Sequence, residues 1–150
     1  MKLKLLIATM ALSGILAGQA IALTKAEYET QKSQVSADYK VNRDKCGSLK
    51  SNAKDICVSE AKGAEKVAKA ELEAQYKPSA KNTRDVAMTK ADTAFDIAKE
   101  KCNGLAGNAK DVCVKDAKAA HVKAKENAKV AADTSGNNTE KLTVFQKTSA

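Results

Sequence analysis

Tryptophan is absent from this 150-residue chain, histidine and proline occur once each, and Phe and Tyr are so few that aromatics reach only 3%. Without large rings the chain cannot build a thick globular core. Large aliphatics and Phe also fall below the ~20% that often marks a chain unable to fold. The Ala, Lys and Glu that dominate instead are strong helix formers. No Gly-rich phosphate loop, nucleophile elbow or C-x-x-C-H haem attachment occurs. The single His121, beside Ala120 and Val122 in a Lys-rich stretch, has no organising constellation and reads as a solvated surface residue. Carboxylates are scattered among lysines, as on a solvated helix face. No catalytic residue, metal ligand or cofactor is expected.

The first 22 residues are set apart. Lys2 and Lys4 precede an uncharged apolar run from Leu5 to Leu23, and small residues close it at Ala20-Ile-Ala22. This is the pattern of a secretory signal peptide with cleavage after Ala22. An uncleaved anchor would need a run of ~20 apolar residues, and Ser13, Gly14, Gly18 and Gln19 dilute this one. No cysteine lies nearby for lipid attachment. The reading places the mature chain in the periplasm with no membrane span. It lowers the formal net charge from +8 to +6, since the leader holds two lysines and no acid.

Four cysteines in an exported chain point to disulfides. They close two similar twelve-residue stretches, Cys46-Gly-Ser-Leu-Lys-Ser-Asn-Ala-Lys-Asp-Ile-Cys57 and Cys102-Asn-Gly-Leu-Ala-Gly-Asn-Ala-Lys-Asp-Val-Cys113. Shifting the chain by 56 residues superposes them and also sets Tyr39 on Phe95, Val41 on Ile97 and Ala61 on Ala117. A duplicated unit is the reading.

Each unit reads as helix, bend, helix. Tyr28, Val35, Tyr39 and Cys46 share one face of a helix over about 24–46, and Met88, Ala91, Phe95, Ala98 and Cys102 do so in the second unit. Gly47 and the pair Asn103-Gly104 supply stops. Asn52 and Asn108 are expected as N-caps of the returning helices. Those helices carry mostly Ala: Cys57, Ala61, Ala64 and Ala68 in one, Cys113, Ala117, Ala120 and Ala124 in the other. Pro78 separates the units. The expectation is an all-α protein of two tandem disulfide-closed antiparallel hairpins, residues 23–77 and 79–132. A flexible tail, 133–150, follows from the linker-like run Thr134-Ser-Gly-Asn-Asn-Thr139, with Leu142, Val144 and Phe145 beyond it.

Geometry favours bends over continuous helices. Residues eleven apart in one helix are separated by ~16 Å along the axis, whereas disulfide Cα atoms lie within roughly 7 Å. Of three possible pairings, Cys46 with Cys57 and Cys102 with Cys113 need the least additional geometry. Leu49 and Leu105 are expected to tuck under the bends. A zinc site would call for short C-x2–4-C knuckles, and a redox pair for C-x-x-C; neither occurs.

The basic balance bears on partners. Ala/Lys-rich helices can hold nucleic acid through phosphates, but export argues against that task. Anionic lipid head groups or other anionic envelope polymers fit the compartment better. The repeated Asn-Ala-Lys-Asp-[Ile/Val]-Cys-Val, with Ala-Glu-Leu-Glu-Ala-Gln-Tyr-Lys-Pro at 70–78, resembles small uncharacterised exported proteins of Gram-negative proteobacteria, some labelled cell-envelope or TolA-like. The resemblance covers nearly all of 23–132, implies the periplasm and brings no catalytic residues. The expected function is therefore non-enzymatic: an envelope or stress-associated protein that binds a protein or anionic envelope partner. A spacer without a specific ligand is the alternative, and a metal-binding protein a more distant one. Oligomeric state is left open.

Overall fold

A computed structural model describes the backbone of residues 23–147 and the side chains of residues 23–130. Residues 1–22, read in the sequence as a signal peptide, lie outside the described residues. Four helices follow one another: α1 (Lys25–Lys45), α2 (Ser51–Tyr76), α3 (Ala80–Asn103) and α4 (Gly107–Lys147). No strand occurs among the described residues. The protein is all-α, and its two hairpins, α1/α2 and α3/α4, are closed by Cys46–Cys57 and Cys102–Cys113. The Cα atoms of both pairs stand 5.6 Å apart.

Local chemistry sets the helix ends. Thr24 and Glu27 form a capping box: the Glu27 N–H donates to Thr24 Oγ1 at 3.3 Å, and Thr24 N–H to Glu27 Oε2 at 2.8 Å. This satisfies donors that have no intrahelical partner. Pro78 ends α2, and Ser79 caps α3 by accepting from the Asn82 N–H at 3.0 Å. A single 3₁₀ turn, Cys46–Ser48, opens the first bend.

Helix α4 is the longest of the four, its backbone helical through Thr134–Thr139 to Lys147. That run holds no proline, and its Ser, Thr, Asn and Gly each cost at most about 1 kcal/mol in a helix already nucleated. The side chains of Leu142, Val144 and Phe145 lie outside the described residues.

Each helix packs on its neighbours in sequence: α1 on α2, α2 on α3, α3 on α4. Among the described residues no other pair of helices meets, so α1 and α4 do not close a bundle. The inner helices must then present two separate faces. On α2, Cys57 and Tyr76 meet α1 while Asn52 and Gly63 meet α3. At 3.6 residues per turn these sets fall roughly 120–140° apart around the helix. On α3, Phe95 and Cys102 meet α4, and Thr93 and Ile97 meet α2. The result is an open single layer of helices.

The core matches that thinness. Buried apolar residues are Ala61, Leu72, Ala91, Ala117 and Ala128 with Cys46 and Cys102. The two cysteines are completely buried, so sulfur occupies the inside of each bend. Leu49 and Leu105 are 39% and 46% exposed. They do not tuck under the bends, because the disulfides already fill that space.

Candidate functional site

The two hairpins meet along α2 and α3, and this seam is the most featured surface of the molecule. Gly63 makes the approach possible. A methyl group built there would collide with Thr93 Cγ2 and touch Ile97 Cδ1 at 3.5 Å. Ion pairs flank the contact: Glu71–Lys90 at 2.6 Å, Lys66–Asp96 at 3.5 Å and Glu60–Lys101 at 3.5 Å. All three pairs are substantially exposed, so each adds little to stability. They fix register instead.

Two shallow depressions follow the seam. One, of about 420 Å³, is lined by Lys54, Lys62, Lys66 and Lys99 with Asp55, Asp96 and Glu100. The next, of about 370 Å³, shares Lys66 and adds Lys69, Thr89, Asp92 and Thr93. The combined groove thus carries five lysines against four carboxylates. The Thr93 hydroxyl is buried beside it without a hydrogen-bond partner among the described residues.

Asn52 is placed differently from the N-cap role its sequence suggests. Helix α2 begins at Ser51 with Lys50 as cap, so Asn52 lies in the first turn. With its amide oriented as its neighbours require, Asn52 donates to the Glu100 carbonyl at 2.8 Å and accepts from the Gly104 N–H at 3.2 Å. It is a clasp between hairpins. Asn108 likewise lies inside α4 rather than before it, and its exposed side chain has no partner among the described residues. The reason is common to both. The chain enters each helix through a left-handed residue, Ser51 (φ 49°) or Gly107 (φ 54°), one position before the asparagine.

His121 is not a simple surface residue. Its ring stacks on Phe95 with centroids 4.5 Å apart, and its Nε2 lies 2.6 Å from Asp92 Oδ1. That bond holds the Asp92 carboxyl below its usual range; Lys125 at 3.5 Å acts the same way, while partial burial opposes both. In the other hairpin Tyr28 stacks on Tyr76 at 4.4 Å and its hydroxyl donates to Glu73 at 2.8 Å. The phenol and Lys77 lower the Glu73 pKa, and the same bond raises that of Tyr28. These are seams between paired helices.

The four cysteines are all consumed by disulfides, which leaves no thiolate for zinc or redox exchange. No group of three or more His, Cys, Asp or Glu among the described residues is placed to hold a metal ion. No helix among them is long and apolar enough to cross a membrane. Fold and groove together define a disulfide-stapled helical array with a lysine-bearing seam. No family model matches the chain, and no curated protein or solved structure is significantly similar to it.

The groove residues were not legible as a set in the sequence. Lys54, Lys62 and Lys66 sit on one helix and Lys99 on another, and only the packing of α2 on α3 unites them. A usable signal was Gly63, a glycine inside an Ala-rich helix, which marks close approach of another backbone.

Proposed function

We propose that the chain is a non-enzymatic periplasmic protein of the envelope that acts by binding, with the α2/α3 groove meeting an anionic envelope component. The observation that carries this reading is the run of Lys54, Lys62, Lys66, Lys69 and Lys99 along one continuous groove. Lys54, Lys62 and Lys99 have no carboxylate partner within ion-pair distance among the described residues, which leaves them available to an incoming anion. The export signal, the paired cysteines and the resemblance to exported proteobacterial proteins support the compartment. Each lysine near an anionic surface contributes about 1 kcal/mol, and the attraction decays within a Debye length of ~8 Å at physiological salt.

The test is sedimentation of the oxidised chain, residues 23–150, with phosphatidylglycerol vesicles. Binding should weaken sharply when salt is raised to moderate strength, and K54Q/K62Q/K99Q should weaken it at low salt. Binding that ignores both changes sinks the charge-led contact.

A spacer role is favoured by a different observation. At 1.5 Å per residue the 41 residues of α4 extend roughly 60 Å. Crosslinking in intact cells that yields no partner, together with no vesicle binding, would select that reading.

A further inference from the structure

We propose that the protein associates head to tail with further copies of itself, the outer face of α4 docking on the outer face of α1 of the next copy. The internal repeat points to this contact. The shift of 56 residues that superposes the bends carries α1 onto α3 and α2 onto α4. Within one chain the second helix of the first unit packs on the first helix of the second. Among the described residues nothing packs against the same face of α4, nor against the matching face of α1.

The contacts of the α2/α3 seam can be transferred position by position. Gly63 against Thr93 and Ile97 becomes Ala119 against Ala37 and Val41. One side gains a methyl group, the other loses the bulk of a threonine and one methylene of the isoleucine, so the summed volume falls by about one methylene. The pair Glu60–Lys101 becomes Asp116–Lys45, which retains its signs. Glu71–Lys90 becomes Asn127–Gln34, two amides able to hydrogen-bond. Lys66–Asp96 becomes Val122–Lys40, an apolar side chain against a lysine stem.

The clasp is preserved as well. Asn52 becomes Asn108, and its two backbone partners become the Asp44 carbonyl and the Ser48 N–H. Asn108 has no partner among the described residues of its own chain. No transferred pair brings like charges together.

Exposure agrees with an interface left open at both ends. Val41 is 55% exposed and Val122 61%, while Ala37 and Ala119 are exposed too. Their counterparts Thr93 and Gly63 are buried and Ile97 is half-buried. A contact between two different faces of the same molecule is heterologous, so it extends into chains unless the rotation closes a ring. The occupant is thus a second copy of this protein, and the surface is distinct from the lysine groove.

The test is light scattering coupled to size exclusion, over a concentration series of the oxidised chain. Mass should rise with concentration. A119R and V41E, one on each face and both at exposed positions, should each give a monomer with unchanged helical circular dichroism. An equimolar mixture should give a dimer that grows no further, since each variant keeps one competent face. Zero-length carbodiimide coupling of the parent should join Asp116 to Lys45; among the described residues α1 and α4 do not touch within a chain, so that link comes from two copies. A protein that stays monomeric at every concentration overturns the proposal. So does V41E that still assembles alone, which would indicate a symmetric α4–α4 contact.

Discussion

Ser51 and Gly107 occupy the same point of their respective bends, and both enter the following helix with a left-handed backbone, at φ 49° and 54°. The second unit has glycine where the first has a residue with a Cβ. A left-handed conformation costs an L-residue roughly 1–2 kcal/mol and glycine almost nothing. Ser51→Gly should therefore stabilise the protein by about 0.5–1 kcal/mol, once the greater chain entropy of glycine is subtracted. Gly107→Ala should destabilise by about 1 kcal/mol through the backbone alone, because a Cβ at Gly107 meets nothing within 4 Å. Urea unfolding of the two variants checks both signs.

The disulfides carry an unusually large part of the stability, since alanine and sulfur make up most of the buried apolar surface. Closing a loop of this size stabilises by about 3 kcal/mol in the chain-entropy model. Whole domains hold only ~5–15 kcal/mol. C46S/C57S should lower the urea midpoint markedly, and adding C102S/C113S should leave a helical but non-cooperative chain. Equal midpoints for the oxidised and fully substituted proteins would contradict this account.

Gly63→Ala sets two effects against each other. Alanine gains about 1 kcal/mol of helix propensity, but its methyl collides with Thr93 Cγ2 across the seam, and overpacking costs about 1–3 kcal/mol. The single variant should be destabilised by roughly 1 kcal/mol. G63A/T93A should recover that loss and exceed the parent, because it removes the clashing methyl and the unpartnered hydroxyl together. A double-mutant cycle measures the coupling.

The Asp92–His121 contact has a pH signature. Asp92 is depressed in the folded protein, first by the bond from His121. Its stabilisation is thus present above the ordinary Asp range near 3.9 and is lost as pH falls through the lowered value. With the carboxylate side chain 54% exposed, solvent screening keeps the effect under about 1 kcal/mol. In H121A the Asp92 carboxyl should titrate at higher pH, nearer the ordinary value, as followed by carbon NMR. An unmoved midpoint would assign the depression to Lys125 instead.

What was legible in the sequence follows from period and covalent chemistry. The stripe Met88, Ala91, Phe95, Ala98, Cys102 declared a helix face, and the ten-residue gap between cysteines forced a bend. The Thr24-x-x-Glu27 capping box was also there to be read. The layer was not. Thr93 and Ile97 form a second face of α3, where a single large apolar residue among polar neighbours passes for a solvated face, and nothing local says that α2 covers it. The lysine groove inherits that difficulty, because it exists only after α2 and α3 are set side by side. Leu49 and Leu105 misled for a related reason: hydrophobicity implied burial, but the bends had no space left once sulfur filled them.

The two asparagines separate a local role from a tertiary one. If Asn52 were simply an N-cap, then Asn52→Ala and Asn108→Ala would cost alike, since both stand one residue after a left-handed position in near-identical sequence. Asn52 instead bonds the Glu100 carbonyl and the Gly104 N–H, while Asn108 has no such neighbour among the described residues of its chain. Losing two seam hydrogen bonds should cost about 1–2 kcal/mol. In dilute protein N52A should therefore unfold at clearly lower urea than the parent, and N108A within about 0.5 kcal/mol of it. At high concentration the order should narrow, with N108A now weakening association that N52A leaves intact. Equal losses for both variants under dilute conditions would restore the capping role and remove the clasp.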